Sequence, residues 1–210
     1  MTHSSNIAVL TGDLVHSTDL GNAKIARAIA ALEECARVQE HWHGAPLHFT
    51  RHRGDGWQVV LASPELALRS ALGFRAALRA NGEEFDSYMG IAAGFVTNPV
   101  GPDLNDETGD VFVASGAQLE TLKASKHAHR ILLSGAHDAA ARLADHISQG
   151  WTAPQAAAIQ LFLAPGAAQS YTEVAKTLGI SRQAVAKSTE AAGLHPLRYA
   201  LKSIEETSDA

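Results

Sequence analysis

The sequence predicts an α+β fold, in which a mostly antiparallel sheet backed by helices is followed by an all-α domain. Two observations indicate this division. Over residues 1–147 the hydropathy pattern runs in the order strand, helix, hairpin, helix, strand, helix, strand, and a helix closes the domain. Residues 148–154 then interrupt the pattern with Gly and Pro, and helical periodicity follows over residues 151–206.

The elements of the first domain are predicted in turn from hydrophobic period and turn residues. The stretch 6–15 is apolar as far as Gly12-Asp13, which predicts a first strand. The tripeptide Gly54-Asp55-Gly56 is typical of a hairpin turn, and Pro64 is typical of the first turn of a helix. The other predicted elements are a helix over 22–42, strands over 47–53 and 57–61, a helix over 64–80, a strand over 87–97, a helix over 111–123, a strand over 130–134 and a helix over 136–147.

The second domain is predicted to be a three-helix or winged unit. Thr152 is a candidate N-cap, with Pro154 in the first turn of a helix that ends near Leu163. Two short helices follow, and His195-Pro196 precedes a last helix over 197–205.

The segment 170–189 has the spacing of a helix-turn-helix. Ser170 and Glu173 form an S-x-x-E capping box, and Gly179 suits the left-handed turn between two helices. A small residue at 175, the glycine at 179 and a β-branched residue at 185 fall at the positions that this motif requires. An ordinary helical hairpin is the alternative, but the combination favours DNA binding.

The second helix of this pair carries the candidate DNA-binding residues. Ile180 is expected to fill the turn. Arg182 and Gln183 have side chains that read purine edges, and Lys187 is of the type that holds phosphates. A merely solvated helix face is the alternative interpretation. The full candidate set is Ser181, Arg182, Gln183, Lys187 and Ser188.

Composition and charge exclude some function classes. The chain has 17 Lys and Arg against 22 Asp and Glu, so it is not a generally basic nucleic-acid binder. Residues 170–204 carry five basic and two acidic side chains. This is a modest excess of positive charge for DNA binding, and a homodimer would double it. No apolar run is long enough to cross a membrane, and the N-terminus lacks the regions of a signal peptide. With Cys35 as the only cysteine, a cytoplasmic location is expected.

Two acidic turns stand out in the first domain. Asp13 ends the first strand and Asp55 lies in the hairpin turn, and the fold can bring the two together. Two carboxylates there could hold Mg²⁺ or Mn²⁺ with a nucleoside triphosphate. The backbone of the segment that leads into the first helix could cradle phosphates. The alternative is that both aspartates are turn residues. The candidate phosphate-binding segment before the first helix consists of Leu14, Val15, His16, Ser17 and Thr18.

The stretches VLTGDLVHST, RHRGDGWQVV, YMGIAAGFV and GDVFVASGAQLETLKASKHAHRILLS resemble a class III nucleotidyl cyclase homology domain over about residues 6–135. With the appended helix-turn-helix, the chain is most similar to the bacterial SatD-like group. The resemblance implies that Asp13 and Asp55 bind two metal ions, that Arg51 and Asp106 help to select a purine, and that two copies form a head-to-tail dimer.

The sequence differs from the cyclase family at the helix that carries the family's catalytic residues. The family's Asn and Arg, four residues apart, fall on Ala114 and Gln118, or on Val113 and Ala117 in the neighbouring register. Loss of a group that stabilises the transition state costs on the order of 10²-fold in rate. The leading hypothesis is therefore a homodimeric DNA-binding regulator whose degenerate cyclase-like domain senses a nucleotide. The alternatives are an active metal-dependent cyclase or other nucleotide-processing enzyme, and a protein-interaction scaffold.

Overall fold

A five-stranded sheet in the order β2-β3-β1-β4-β5 organises the first two thirds of the chain. The computed structural model describes residues 4–52, 54–126, 128–166 and 169–208. Neighbouring strands are antiparallel except β4 and β5, which are parallel, so the predicted mostly antiparallel sheet is confirmed. The strands are β1 (Ser5–Leu14), β2 (Thr50–Arg51), β3 (Gly56–Leu61), β4 (Ser87–Val96) and β5 (Ile131–Leu133).

Helices connect the strands and form the C-terminal part. A 3₁₀ turn (Pro64–Leu66) leads into α3, as expected for a proline at a helix start. The helices are α1 (Ser17–Leu20), α2 (Asn22–His43), α3 (Ala67–Ala80), α4 (Asp110–Ala124), α5 (Asp138–Gln149), α6 (Ala153–Phe162), α7 (Tyr171–Leu178), α8 (Arg182–Ala191) and α9 (Leu194–Ser208). None of the helices in the described ranges is long and apolar enough to span a membrane.

The two faces of the sheet bury different clusters, because successive side chains of a strand point to opposite faces. Ala8 and Leu10 of β1 belong to the main core, together with residues of α2 and α3. Ile7 and Val9 lie in a smaller cluster that includes Phe112 of α4. The helix α4 thus covers the sheet face opposite to α2 and α3.

The C-terminal helices share the main core with the sheet. Phe162 of α6 and Val185 of α8 belong to the same buried cluster as Leu10, and α6 packs against α3. The buried indole of Trp151 donates to the carbonyl of Ala192 at 2.8 Å. The chain does change from sheet to helix-only structure near residues 148–154, but the division into domains 1–147 and 151–206 stays a prediction.

Three local expectations were wrong. The strand predicted over 47–53 reduces to Thr50–Arg51, because His48 has a left-handed φ of 35°, which a strand does not accommodate. The last helix begins at Leu194 and passes through Pro196, which lies in its first turn, where no helical hydrogen bond is lost. In the ranges 134–166 and 169–208 no strand occurs, so these residues form no wing.

Candidate functional site

The first strand and the hairpin turn bring the two predicted aspartates side by side. Asp13 of β1 is paired with Gly56, and the amide of the following residue, Leu14, donates to the carbonyl of Asp55 at 3.3 Å. The neighbouring strand β4 holds the backbone at this point, because the hydroxyl of its first residue, Ser87, donates to the carbonyl of Asp13 at 2.9 Å. Trp57 Nε1 in turn donates to that hydroxyl at 3.0 Å. The acidic pair therefore lies where the central strand β1 ends, on a backbone that hydrogen bonds hold in place.

Lys123 supplies the positive charge of this site. Its Nζ lies 2.8 Å from Asp13 Oδ2. The hydrogen bond to Asp13 raises the pKa of Lys123, and the charge of Asp55 adds to the shift. Two carboxylates suffice for Mg²⁺ when substrate phosphates complete its coordination, so Asp13 and Asp55 could hold such an ion if Lys123 moved aside. No group of three or more His, Cys, Asp or Glu side chains is arranged around a metal position in the described residues.

Sequence reasoning missed Lys123. It lies near the C-terminal end of α4, one helical turn after the buried Leu119, and therefore on the side of α4 that turns toward the sheet. A basic residue at that spacing is the only local signal, and it does not identify Asp13 as the partner.

A cleft of about 390 Å³ is bordered by Asp55, the member of the acidic pair in the hairpin turn, whereas Asp13 is not among its lining residues. The Arg51 guanidinium borders it and donates to the carbonyl of Gly54 through Nε at 3.1 Å and Nη2 at 2.7 Å. Predicted residues Ser17, Thr18, Arg51 and Asp55 thus meet at one cleft, which is polar at the hairpin and apolar toward α2. Its lining consists of Ser17, Thr18, Asn22, Ile25, Ala26, Arg51, Gly54 and Asp55.

The remaining predicted nucleotide-binding residues lie elsewhere. Leu14 and Val15 are buried, and their amides already donate to the carbonyls of Asp55 and Asp86. His16 has a left-handed φ of 53° and borders a different cleft. Asp106 is exposed in the loop before α4 and does not line the cleft beside the acidic pair. Ser17 and Thr18 are the members of the predicted phosphate-binding segment that remain at this cleft.

The helix α4 does not offer the catalytic groups of the cyclase family. Ala114 and Ala117 are exposed, Gln118 is half-buried, and Val113 projects into solvent. The inward hydroxyl of this helix, Ser115, bonds Thr11 of β1 at 2.7 Å. The cationic group that α4 directs toward the carboxylates is therefore Lys123 rather than an arginine in mid-helix.

Helices α7 and α8 form a capped pair joined by a tight turn. The Ser170 hydroxyl accepts from the amide of Glu173 at 3.2 Å, and the Glu173 carboxylate accepts from the amide of Ser170 at 2.7 Å. The backbone hydrogen bond of Ser170 lowers the pKa of Glu173. Gly179 has a left-handed φ of 67°, and the Ser181 hydroxyl accepts from the amide of Ala184 at 3.1 Å. The capping box, the left-handed glycine and the second N-cap expected for this segment are therefore all present.

The pair has one buried face and one exposed face. Val174, Ala175 and Val185 are buried between the helices, whereas Ile180 is 43% exposed and does not fill the turn. The side chains of Arg182 and Lys187 form no hydrogen bond or ion pair with the described parts of the chain. The exposed face contains Ser181, Arg182, Gln183 and Lys187, with Ser188 half-buried at its border.

Comparison with known proteins adds no family: no protein-family model matches the sequence, and no significant match to a curated protein was found.

Proposed function

We propose that the chain is a DNA-binding regulator that contacts DNA through α7 and α8. The observation that carries the proposal is the exposed face of α8, which begins immediately after a tight turn. It presents basic and amide side chains that have no partner among the described residues. A helix of this kind fits the major groove with its N-terminal residues near the bases. Arg182 and Gln183 would read base edges, while Ser181, Lys187 and Ser188 would hold phosphates.

The proposal includes a homodimer that binds a palindromic operator. One copy offers a small basic surface, since residues 170–204 carry five basic and two acidic side chains. Two copies place two recognition helices on successive half-sites and double the electrostatic contribution. A cytoplasmic location is part of the same proposal.

The acidic pair and its adjoining cleft are proposed to sense a purine nucleotide together with Mg²⁺ or Mn²⁺. Asp13 and Asp55 would bind the ion, and Arg51, Ser17 and Thr18 would contact the nucleotide. When bound, the ion would neutralise phosphate charge. A nucleotide that favours one arrangement of the dimer would shift the spacing of the recognition helices and hence the DNA affinity. This part of the proposal follows the resemblance to the cyclase homology domain.

The test is binding of purified protein to a fluorescent fragment of its own upstream region, measured by anisotropy in rising salt. Arg182→Ala is expected to weaken specific binding by about tenfold or more, since a good bidentate base contact is worth ~1–3 kcal/mol. Arg37→Ala, which removes an exposed arginine from α2, is the matched control and should leave the affinity unchanged. Equal losses in both variants, or no sequence-specific binding, would reject the proposal and favour a protein-interaction module.

A metal-dependent nucleotide-processing enzyme is the second candidate. It is favoured by the adjacency of Asp13 and Asp55 beside a cleft that Arg51 borders. Incubation with a nucleoside triphosphate and Mn²⁺ should then yield a product that Asp55→Asn abolishes. The exposed Glu33 on α2 provides a control, because Glu33→Gln removes one carboxylate far from the cleft. Absence of product with every purine triphosphate would leave the regulator as the better account.

A further inference from the structure

A second, cationic cleft of about 560 Å³ lies where α9 meets the start of α3 and the segment after α6. Its volume is within the range of small-molecule sites. The acidic pair and its cleft lie elsewhere, and the two clefts share no lining residue. The ionisable side chains around this cationic cleft are Arg69, His195, Arg198, Tyr199, Lys202 and Glu205.

One wall of this cleft is formed by an ion pair between Arg69 and Glu205. The Glu205 carboxylate accepts from Arg69 Nε at 2.6 Å and from Arg69 Nη2 at 2.8 Å, a two-point contact. Arg69 Nη1 donates to the carbonyl of Leu163 at 2.9 Å. The guanidinium is therefore held in one orientation, and its side chain is only 7% exposed. This fixed fork is the geometry that recognises planar oxyanions.

Two further cations beside this pair have no comparable partner. Arg198 and Lys202 lie four residues apart on α9 and both border the cleft. The Arg198 side chain forms no hydrogen bond or ion pair with the residues that the structure describes. Lys202 has only a 3.5 Å contact with Glu206, and both of those side chains are about two-thirds exposed. Because Arg69 and Glu205 neutralise each other, the cleft keeps an excess of positive charge.

We infer that this cleft is a binding site for a small molecule that carries a phosphate or carboxylate group. Arg198 and Lys202 would hold the oxyanion against the rigid wall formed by Arg69 and Glu205. Tyr199, which is 78% exposed at the rim, offers an aromatic face for the rest of the ligand. A DNA duplex is too wide to enter such a cleft and would touch only its rim, so the concave shape favours a small molecule.

The cationic cleft is also connected to α7 by a side-chain contact. His195 at the start of α9 contacts the hydroxyl of Tyr171, the first residue of α7, through Nε2 at 3.3 Å. A ligand on α9 would therefore stiffen the junction between α9, α3 and α7. This inference does not depend on the acidic pair. Arg198 and Lys202 are, however, two of the five basic residues counted toward the proposed DNA-binding surface, so the test has to separate the two roles.

The test is calorimetric titration of the full-length protein with inorganic pyrophosphate and, separately, with citrate. Divalent metal ions are removed from protein and buffers beforehand on a chelating resin, so that the acidic pair cannot recruit pyrophosphate through a metal and no soluble chelator adds competing carboxylates. We expect saturable binding that weakens about tenfold in Arg198→Gln and in Lys202→Gln, because each loses a charge-assisted contact. Lys176→Gln, which removes an exposed lysine of α7 outside the cleft, should bind as tightly as the parent protein. The stronger of the two anions identifies phosphate or carboxylate as the preferred group.

Amide chemical-shift changes in labelled protein locate the bound anion. Changes centred on Gly166, His195 and Tyr199 support the inference, and changes centred on Asp13 and Ser17 overturn it. It is also overturned if no saturation occurs below roughly 10 mM, a Kd too weak for a built site, or if Lys176→Gln loses as much affinity as Arg198→Gln. If Arg198→Gln weakens DNA binding but leaves pyrophosphate binding unchanged, Arg198 is a DNA contact and the inference fails.

Discussion

At the residue scale, Lys123 and a divalent cation would compete for the same carboxylate. The Lys123 ammonium contacts Asp13, and its side chain is 40% exposed, so it can swing into solvent at little cost. Lys123→Met should therefore strengthen Mn²⁺ binding by roughly threefold, the size expected for losing a partly exposed ion pair. Electron paramagnetic resonance of free Mn²⁺ measures this directly.

Lys24 provides a matched control for this prediction. It forms an exposed ion pair with Glu84 at 2.9 Å, away from the acidic pair. Lys24→Met should leave Mn²⁺ affinity unchanged. If Lys123→Met binds Mn²⁺ no better than the parent protein, Asp13 is not part of a metal site.

His43 is the residue whose titration should affect stability. Burial lowers its pKa from 6.5 to about 4. Its Nδ1 accepts from the amide of Ser63 at 3.2 Å and its Nε2 contacts the Ser70 hydroxyl at 3.0 Å, so the neutral ring is the form that fits. The unfolded chain binds the proton first. The contribution of neutral His43 to the free energy of unfolding is therefore complete above about pH 6.5 and is lost as the pH falls toward about 4.

Urea unfolding at pH 7 and pH 5 checks this expectation. His43→Gln should lose less stability between these two pH values than the parent protein, because Gln does not titrate. His41→Gln, a change at an exposed neighbour on the same helix, should keep the parental pH dependence. Equal pH dependence in all three proteins would contradict the assignment.

At the element scale, a glycine lets α4 lie directly on the sheet. A Cβ at Gly90 of β4 would overlap the backbone carbonyl of Ser115 and the amide of Leu119. Gly90→Ala must therefore push α4 away and separate Lys123 from Asp13. We expect a destabilisation of ~1–3 kcal/mol, the usual cost of overpacking, measured by urea unfolding.

Gly116 of α4 is the control for this effect. A Cβ at Gly116 meets open space, so Gly116→Ala should stabilise the helix by ~0.5–1 kcal/mol. The two substitutions add the same methyl group, but at Gly90 it meets the backbone of α4 across the contact with β4, whereas at Gly116 it meets nothing. If both variants were equally stable, close approach of α4 to β4 would not matter for the fold.

The elements that the sequence predicts well are those specified by neighbouring residues. The capping box at Ser170 and the left-handed Gly179 act within one or two turns of chain, so a local pattern suffices to predict them. The adjacency of Asp13 and Asp55 was anticipated only as something that the order strand, helix, hairpin allows, because it depends on the long-range pairing of β1 with β3. The contacts of Lys123 with Asp13 and of Arg69 with Glu205 were not predictable, because 110 and 136 residues separate the partners and only the packed fold joins them.

At the scale of the whole molecule, arginines of α3 join the sheet to α5, through Arg75, and to the start of the C-terminal helices, through Arg79. Arg75 is fully buried and donates from Nη1 to Asp145 Oδ1 at 2.6 Å and to the Ser148 hydroxyl at 2.7 Å. Its Nε donates to Asp86 Oδ1 at 3.1 Å, just before β4. Arg79 donates to the carbonyls of Trp151 and Gln149. Together with the shared apolar core, these bonds couple the stability of the two parts.

Arg75→Met should therefore weaken the sheet and the C-terminal helices equally. It leaves the carboxylate of Asp145 buried without its cation, which costs ~3–5 kcal/mol. We expect a single unfolding transition in the parent and in the variant. Hydrogen exchange should show that the slowest amides of β1 and of α8 lose the same protection factor, because both report on one cooperative unit.

The double variant Arg75→Met/Asp145→Asn separates a lost cation from lost packing. It should recover much of the loss, since the carboxylate that Arg75 neutralised is then absent. Loss of protection in β1 alone, with α8 unchanged, would show instead that the helices beyond residue 151 fold as a separate unit. The nucleotide-dependent change in DNA affinity that we propose requires that β1 and α8 lose protection together. A ligand on the sheet can move α8 only through a rigid connection.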